Sequence, residues 1–534
     1  MVHYDESEAT AKCHGGDEVA VTFTSTVVPA LPLQEHRLPL SNLDLILPPI
    51  DVSVFFCYAA GDDYAAAGTG SHPAPTLKAA LAKVLVAYYP LAGEVVANAA
   101  GEPELLCSGR GVDFAEAAAD GVELRELRLG LPDESVEGLV PKKKSGVMSV
   151  QVRITAIRTC FMHRVCCLVG VRTSSVRTYW RQHHLATWSY YPEYFSVQLN
   201  PCAGQLLPSC RTHHLQLHLV TKFKCGGAVV GCTFDHRVCD AYSFNMFLVA
   251  WAAAARGTSI PLPPSFNRSF LAPSSPPPSC TAGTLADRLF LPVSLVPPPP
   301  ATAAPPTAFN RIYHVAAADV AALQASAGPG RTKLEAFTAH LWQLYSRAAT
   351  PRQDSCCMGV VVDGRGRLCP DGAMRPYFGN VLTIPYGAFG AADLRDMALA
   401  DVAEDVHRWV AEAATGEHFQ GLVDWVEAQR PEPTVARAYI GGGDDDGGEG
   451  ETASCVVSSG LRLPFGEVDF GWGRPAFASY HFPWPGGAGY VMPMPSARGG
   501  GDWVVYVHAA PEVVKVMEEE PTVFRAPVSS DIFG

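Results

Sequence analysis

One stretch near the middle of the chain, residues 225–257, restricts the possible folds more than any other. Residues 228–234 are almost entirely apolar and follow two glycines, which predicts a β-strand buried on both faces. A helical apolar face comes next, with Gly257 as its predicted C-terminal cap, and consists of Phe244, Phe247, Leu248, Trp251, Ala252 and Ala255. A buried strand that leads into a helix is typical of α/β proteins, whose clefts open at the C-terminal ends of strands.

His236 and Asp240 lie between this strand and this helix. Histidine has an ordinary pKa of about 6.5, so its neutral ring can accept a proton at neutral pH and act as a general base. Asp240 has three roles open to it: orienting the ring, capping the helix, or pairing with an arginine that holds the loop. His-x-x-x-Asp also occurs by chance, and a histidine at a strand end is often only a hydrogen-bonded loop residue.

A second motif, DFGWG at residues 469–473, places a tryptophan between two glycines that can adopt positive φ. The motif pair, His236-x-x-x-Asp240 followed by DFGWG, resembles the signature of the plant BAHD acyltransferases, which transfer acyl groups from coenzyme A. The resemblance spans about 19–516, apart from one segment. Its other landmarks, in the family's order, are LSNLD at 40–44, YPLAG at 89–93, VDGR at 362–365 and YFGN at 377–380.

The resemblance implies an α/β fold of two chloramphenicol acetyltransferase-like domains, each a mixed β-sheet with helices, and an active-site channel at their interface. It implies that His236 deprotonates an acceptor hydroxyl or amine, which then attacks the thioester carbonyl of acyl-CoA. Acyl-CoA is a cosubstrate in this chemistry. No metal, no permanently bound cofactor and no covalent enzyme intermediate are expected.

The resemblance also assigns roles to other residues. Asp469 is a second candidate proton acceptor, although one base suffices and a structural role is favoured for both Asp240 and Asp469, each paired with an arginine. Trp472, or a hydroxyl near it, is the candidate donor to the tetrahedral oxyanion. Further support of the site is expected from Gly471 and Gly473, and the candidates for the channel lining are His36, Asn380, Ser458 and Ser459.

The acceptor expected from the family is a plant specialised metabolite, and the landmarks resemble most the hydroxycinnamoyl or coniferyl alcohol branch of phenylpropanoid-related enzymes. Three positions depart from the family pattern. Ala241 replaces the usual glycine after Asp240, Gly460 stands where a tryptophan often follows the serine pair, and Val381 replaces a cysteine common in malonyl-transferring members. The last departure argues against malonyl as the acyl group.

Charge and hydropathy exclude other classes of partner. The formal net charge is −13 and there is no basic stripe, which argues against nucleic acid. No apolar run is long enough for a membrane helix, and the acidic N-terminus lacks the apolar core of a signal peptide. The sequence therefore predicts a monomeric cytoplasmic protein that binds small molecules and no membrane.

The length of 534 residues predicts two domains. The predicted division has a disordered N-terminus at 1–18, an N-terminal domain at 19–258, a Pro-rich crossover linker at 259–310 and a C-terminal domain at 311–534. Within the last domain, residues 441–452 are rich in Gly and Asp and are predicted to form a disordered loop.

Residues 152–220 differ in composition from the rest of the chain, with seven arginines, no lysine and one acidic residue. Their cysteines and histidines do not have zinc-ligand spacings, so no metal site is predicted. Deleting them restores the continuous strand that the family has at this point, which suggests an insertion foreign to the fold or translated from an intron. The alternative function follows from this segment: an inactive paralogue, or a mis-spliced product that at most binds ligand.

Overall fold

Two large mixed β-sheets form the framework of the protein. The computed structural model describes residues 20–59, 73–118, 123–154, 227–276, 283–296, 307–441, 451–483 and 487–533. The strands are β1 (Ala20–Val27), β2 (His36–Pro39), β3 (Asp51–Tyr58), β4 (Glu94–Ala97), β5 (Pro103–Cys107), β6 (Val112–Ala118), β7 (Met148–Ile154), β8 (Ala228–Asp235), β9 (Phe290–Pro292), β10 (Phe309–Val315), β11 (Gln353–Asp363), β12 (Leu382–Thr383), β13 (Tyr386–Gly390), β14 (Thr434–Ala436), β15 (Glu451–Ser458), β16 (Phe477–His481), β17 (Gly489–Pro495) and β18 (Trp503–Ala509).

Helices pack against both sheets and connect their strands. They are α1 (Asn42–Leu45), α2 (Pro73–Ala87), α3 (Pro132–Ser135), α4 (Ala241–Ala255), α5 (Leu285–Leu289), α6 (Ala317–Ser326), α7 (Lys333–Ala348), α8 (Arg365–Leu368), α9 (Ala391–Asp396), α10 (Leu399–Ala413), α11 (Gly416–Gln429), α12 (Pro511–Glu518) and α13 (Ser529–Phe533). Among the described residues, no helix is long and apolar enough to cross a membrane.

The N-terminal sheet has the strand order β1-β6-β7-β8-β3-β16. Only β6 and β7 are parallel neighbours in it; the other pairs are antiparallel. The C-terminal sheet has the order β10-β18-β17-β15-β11-β12, with β13 also paired to β11. Here β15 runs parallel to both β11 and β17. Both sheets are therefore mixed, as the sequence predicted.

The boundary that the sequence predicted at residue 310 does not separate the two sheets. Strand β16 belongs to the C-terminal half of the chain, yet it pairs with β3 at the edge of the N-terminal sheet. Apolar packing also joins the halves, because Leu43 of α1 and Ile46 just after it share a core cluster with Val423 of α11. Arg430 of the C-terminal half also donates two hydrogen bonds to the carboxylate of Glu102 in the N-terminal half, at 2.6 and 2.9 Å.

The strand and helix around His236 form as predicted. Every residue of β8 is buried, which explains its apolar sequence. Asp240 caps α4 by accepting a hydrogen bond from the backbone N–H of Ser243 at 2.9 Å. Gly257 follows the helix end with φ of 75°, the left-handed conformation typical of a glycine cap.

Some predicted helix boundaries were wrong. The apolar periodicity of residues 76–89 predicts a helix over that range, and the observed helix begins at Pro73, because proline is well suited to the first turn. The pattern of residues 393–414 predicts one long helix, whereas the structure has two, α9 and α10, separated at Met397, which has extended backbone. The Met397 carbonyl accepts a hydrogen bond from the side-chain amide of Gln343 at 2.8 Å, and this bond stabilises the break.

The Pro-rich linker predicted at 259–310 contains packed structure. Thr284 and Asp287 form a capping box at the start of α5, and β9 pairs with β14 of the C-terminal half. Phe290 of β9 is only 1% exposed, so this part of the linker contributes to a core rather than spanning between two domains as an extended chain. Residues 277–282 and 297–306 lie outside the described part of the chain.

Two predicted segments share residues with strands of the structure. Strand β7 continues to Ile154, and Val152, which is 1% exposed, pairs with Val230 of β8. Residues 152–154 are thus part of a central strand, and the insertion predicted at 152–220 stays a prediction. Glu451 and Thr452, assigned to the disordered loop, belong to β15. The remainder of both segments, 155–226 and 442–450, and the predicted disordered N-terminus 1–18 lie outside the described residues.

Candidate active site

His236 follows the last residue of β8 at the edge of the N-terminal sheet. Its backbone N–H donates to the Ile50 carbonyl at 2.9 Å, which fixes the start of the loop. Its half-buried imidazole lies between the rings of Phe234 and Phe482, with each ring centroid 6.3 Å from its own. The ring is therefore surrounded by apolar walls but remains partly accessible, as expected for a side chain that lines a channel.

The two nitrogens of His236 have different surroundings. Nδ1 is buried and has no hydrogen-bond partner of normal geometry among the described residues. Nε2 has no hydrogen-bond partner there either, but it is not buried to the same degree. Nε2 is therefore the ring nitrogen that a substrate can reach.

Burial lowers the pKa of His236 below its ordinary value, because the charged imidazolium loses hydration in an apolar site. The negative charges of Asp240 and Asp235 act in the opposite direction and do not outweigh burial. The ring is consequently neutral at neutral pH, which is the protonation state a general base needs.

Asp240 fulfils two of the three roles that the sequence left open. It caps α4, and its carboxylate accepts two hydrogen bonds from the Arg365 guanidinium, at 2.8 and 3.1 Å. Both side chains are almost fully buried, with 3% and 4% exposed. No hydrogen bond joins Asp240 to the His236 ring within the described ranges, so the carboxylate fixes the loop and not the imidazole.

Arg365 connects the loop to the C-terminal half. Besides Asp240, it donates to Ser243 Oγ at 2.8 Å, the Gly379 carbonyl at 2.9 Å and Asp363 at 2.8 Å. Burial alone would lower the pKa of Arg365, but Asp240 and Asp363 together hold it above its ordinary value. A buried charge with this many partners is costly to unpair, which makes the network rigid.

Asn380 is fully buried and so does not line an open channel, contrary to the sequence prediction. Its side-chain amide donates to the His236 carbonyl at 3.0 Å and to Asp44 Oδ1 at 2.9 Å, and its backbone N–H donates to the same Asp44 oxygen at 2.7 Å. Asp44 Oδ2 in turn accepts hydrogen bonds from the backbone N–H and the hydroxyl of Ser41. The segments at 40–44, 236–240, 362–365 and 377–380 thus meet in one buried polar network.

Asp44 and Arg365 were missed as functional residues by the sequence analysis. Both stand in the segments LSNLD and VDGR, which served only as landmarks of the family. The available signal was a charged residue within an otherwise apolar or small segment. It was not sufficient, since nothing in the chain order indicates that Asp44 forms a hydrogen bond with Asn380, 336 positions away.

The DFGWG segment forms a tight turn around the carboxylate of Asp469. Oδ1 accepts hydrogen bonds from the backbone N–H groups of Gly471, Trp472 and Gly473, at 2.8, 3.1 and 3.0 Å. Gly471 and Gly473 have φ of 99° and 87°, which side-chain-bearing residues rarely adopt. The turn therefore requires both glycines, and Asp469 Oδ1 is already bound by the backbone of its own turn.

The structure does not bring Asp469 and Trp472 close to His236. The turn contacts the end of β3, where the Tyr58 hydroxyl donates to the Val468 carbonyl at 2.6 Å and the Trp472 ring centroid is 5.3 Å from that of Tyr58. Tyr58 pairs with Ala228 at the start of β8, whereas His236 follows its end. Strands rise about 3.3 Å per residue, so the eight residues from Ala228 to His236 separate the motifs by roughly 25 Å.

The Asp469 turn instead supports the other end of the strand and helix that carry His236. Arg256, just after α4, donates a hydrogen bond to the Asp469 backbone carbonyl. Phe470 packs against Trp251 of α4, with ring centroids 4.8 Å apart. The arginine predicted for Asp469 is thus present, but it binds the main chain and not the carboxylate.

The remaining predicted channel residues lie in different places. His36 is exposed on β2; its Nδ1 contacts the Gln34 carbonyl at 2.9 Å and its ring is 5.2 Å from that of Tyr89. Ser459 is exposed. Ser458 is half-buried at the end of β15 and lies near Tyr490, because β15 pairs with β17 and Val456 is opposite Tyr490. Ser458 is the member of this set that is connected to the surroundings of His236, through Tyr490 and Phe482.

Within the described ranges of the chain, no group of three or more His, Cys, Asp or Glu side chains is arranged to hold a metal ion.

Comparison with known proteins identifies the family. A family model described as the Transferase family matches residues 18–174 and 203–523, which is most of the chain. The protein therefore belongs to this family, that of the BAHD acyltransferases. It is an acyl-CoA-dependent O- or N-acyltransferase, as the motifs predicted.

Curated relatives agree with this family over nearly their whole length. Hydroxycinnamoyltransferase 2 of Oryza sativa subsp. japonica is 26% identical over 517 residues, covering 92% of this chain and 96% of its own. A hydroxycinnamoyl-CoA:5-hydroxyanthranilate N-hydroxycinnamoyltransferase of Avena sativa is 26% identical over 508 residues, covering 90% and 94%.

Solved structures show the same fold at low sequence identity. Vinorine synthase superposes with a TM-score of 0.59 at 19% identity, covering 96% of this chain and 100% of its own. TRI101 of F. sporotrichioides, solved with coenzyme A and T-2, has a TM-score of 0.61 at 13% identity, covering 91% and 98%. The two mixed sheets thus form the chloramphenicol acetyltransferase-like fold that the sequence predicted.

Proposed function

We propose that this protein transfers a hydroxycinnamoyl-type acyl group from coenzyme A to the hydroxyl or amine of a plant specialised metabolite, with His236 as the general base. The observation that carries the proposal is the state of the imidazole: neutral, held in an apolar setting, with Nε2 unpaired among the described residues. The acyl group is inferred from the hydroxycinnamoyl relatives.

His236 would act twice in one turnover. Nε2 takes the proton from the acceptor as its oxygen or nitrogen attacks the thioester carbonyl, and the tetrahedral oxyanion collapses by breaking the carbon–sulfur bond. The imidazolium then returns the proton to the departing thiolate, so the enzyme ends as it began. No group on the enzyme is acylated, and no cofactor is retained between turnovers.

Other residues would support this base without touching the substrate. Asp240 and Arg365 fix the loop on its helix side, and Asn380 fixes it through the His236 carbonyl. Asp469, Gly471, Trp472 and Gly473 would stabilise the distant end of the same strand and helix. We also propose that the protein works as a cytoplasmic monomer.

Thiol release tests the proposed function. The full chain is incubated with a panel of acyl-CoA donors, including hydroxycinnamoyl, acetyl and malonyl thioesters, and with phenolic, aliphatic and amine acceptors. We expect thiol release that depends on both substrates and is greatest with hydroxycinnamoyl donors. Acceptor-dependent release with malonyl-CoA alone would contradict the proposed acyl group.

The inactive alternative has one observation in its favour. The family match omits residues 175–202, a shorter internal stretch than the 152–220 predicted from composition. A variant that lacks 175–202 is therefore assayed beside the full chain. Turnover by the shortened chain alone would identify the stretch as foreign to the enzyme. Turnover by neither, with both folded by circular dichroism and thermal unfolding, would favour the inactive paralogue.

A further inference from the structure

Phe482 separates His236 from a tyrosine of the other sheet. The Phe482 ring centroid is 6.3 Å from that of His236 and 4.7 Å from that of Tyr490. The Tyr490 ring therefore lies within about 11 Å of the imidazole. Phe482 follows β16 of the N-terminal sheet and Tyr490 belongs to β17 of the C-terminal sheet, so these rings form a wall where the two halves meet.

Ser458 is held beside Tyr490 by strand pairing. Strand β15 runs parallel to β17 with Val456 opposite Tyr490, and Ser458 is two residues further along on the same face. Side chains at such diagonal positions are within reach of each other when one of them is long. The Ser458 side chain is near enough to the Tyr490 phenol to lower its pKa, although burial has the larger effect.

This hydroxyl pair retains capacity for hydrogen bonding. A phenol and a serine hydroxyl together offer two protons and four lone pairs, and a bond between them would use only one of each. Both residues are half-buried, while Val456 beside them is fully buried and Phe482 is 4% exposed. Burial raises the pKa of Tyr490 to about 12, so the phenol keeps its proton at neutral pH. The hydroxyls of Tyr490 and Ser458 thus offer a hydrogen-bond donor and an acceptor within an otherwise apolar wall.

We propose that the Tyr490–Ser458 pair binds the ring hydroxyl of a phenylpropenoyl acyl group, and so selects a 4-hydroxycinnamoyl donor over a cinnamoyl donor. This inference rests on the proposed function and adds the residues that set its donor specificity. The dimensions agree: the para oxygen lies roughly 8 Å from the carbonyl carbon by ordinary bond lengths. That carbon must lie near the nucleophile held at His236, and the ring would pack on Phe482.

A site that binds a substrate hydroxyl rejects the analogue without it, because its own polar groups then remain unpaired. The pair is half-buried, so the discrimination is smaller than in a fully dry pocket. We expect kcat/KM for 4-coumaroyl-CoA to exceed that for cinnamoyl-CoA by tenfold or more in the unaltered protein, measured by thiol release with one saturating acceptor.

Three variants test the assignment. Tyr490→Phe keeps the ring and removes the hydroxyl, and should bring the ratio of the two kcat/KM values to within about threefold of unity. Ser458→Ala should lower it less, because Tyr490 remains. Tyr89→Phe is the matched control: it makes the same change on a half-buried tyrosine whose ring lies 5.2 Å from that of exposed His36, and should keep the original ratio.

Two results would overturn the inference. One is a ratio of the two kcat/KM values, for 4-coumaroyl-CoA and cinnamoyl-CoA, that Tyr490→Phe leaves unchanged. The other is a changed preference among acceptors while that ratio stays constant, which would assign the Tyr490–Ser458 pair to acceptor binding. Binding of both thioesters to the same variants is also measured by calorimetry. If no variant releases thiol, the proposed function fails, while a tenfold difference in affinity that Tyr490→Phe removes would still support the inference.

Discussion

The two signature motifs of this chain occupy opposite ends of the same strands and use their charged groups in opposite ways. At one end, the His236 ring is left without a strong partner and its Nε2 stays accessible. At the other end, Asp469 Oδ1 accepts three hydrogen bonds from the turn that contains it. Equal prominence in the sequence therefore does not mean an equal role in the reaction.

The difference teaches how to distinguish a reactive group from a structural one. A general base needs an unpaired lone pair and a pKa near or below neutrality, whereas a structural carboxylate needs donors that satisfy it. His236 meets the first description and Asp469 the second. Asp240 lies four residues from His236 but resembles Asp469, since both its oxygens are bound by Arg365.

The largest effect is expected from His236→Ala. Loss of the base should lower kcat by about 10³-fold or more, because proton transfer in this step has no substitute nearby. The measurement is thiol release together with thermal unfolding of the same preparation. Unfolding should change little, since the ring makes no hydrogen bond of normal geometry through Nδ1. Near-normal turnover would remove His236 from the mechanism.

Asp240→Asn should destabilise the protein by about 3 kcal/mol or more, because it leaves the buried Arg365 charge without its main partner. Turnover should fall too, as the His236 loop loses its attachment. Urea unfolding and kcat are measured in parallel. Asp363→Asn is the matched control: it also contacts Arg365, but its side chain is 50% exposed, so its loss should cost much less. Equal costs for the two variants would refute the central position of Asp240.

Asp469→Asn would sharpen the comparison between the motifs. The amide oxygen can still accept from the turn, but without charge, so we expect a loss of about 1–2 kcal/mol in the free energy of unfolding. Activity per folded molecule should stay within about threefold, because the turn lies far from His236. A drop in kcat as large as that of His236→Ala, with stability retained, would give Asp469 a catalytic role.

The smallest effect is a displacement of the pH profile. Burial lowers the pKa of His236, so the base form should persist below pH 6.5 and the acid limb of kcat/KM should have its midpoint below that value. The same shift makes the stability contribution of His236 complete above about pH 6.5 and progressively lost as pH falls towards the folded pKa.

His418→Gln is the control for this profile. Burial lowers the pKa of His418 to about 4. Its Nε2 is hydrogen-bonded to Thr383 Oγ1 at 2.8 Å, beside a core cluster other than the one around His236. We expect the variant to keep the acid limb of the parent protein. A limb with its midpoint at or above 6.5, or one that moves in His418→Gln, would contradict the assignment to His236.

The local structure around each motif followed from the sequence because it depends on short-range rules. The buried strand before His236, the cap at Asp240 and the glycine after α4 are all set by neighbours in the chain. A threonine three residues before a glutamate likewise predicts a capping box of Thr332 and Glu335, and the structure contains it. Each involves residues within a few positions of one another.

Long-range contacts escaped the prediction. The pairing of β16 with β3, the hydrogen bond of buried Asn380 to Asp44 and the identity of the arginine that pairs with Asp240 each depend on residues more than a hundred positions apart. The periodicity of apolar residues does not encode such contacts, because each residue of a contacting pair could equally occupy an exposed position. The role of Asn380 was therefore misjudged although its motif was recognised.

The sequence by itself determined the family, the mixed α/β class and the identity of the candidate base, because motif spacing and apolar periodicity are properties of the chain order. Only the tertiary structure decided which motif residues share a site. It placed the Asp469 turn at one end of β3 and His236 at the other, and it brought Tyr490 within one aromatic ring of the imidazole. The physical reason is that strand pairing and sheet packing set distance through space, to which separation along the chain is no guide.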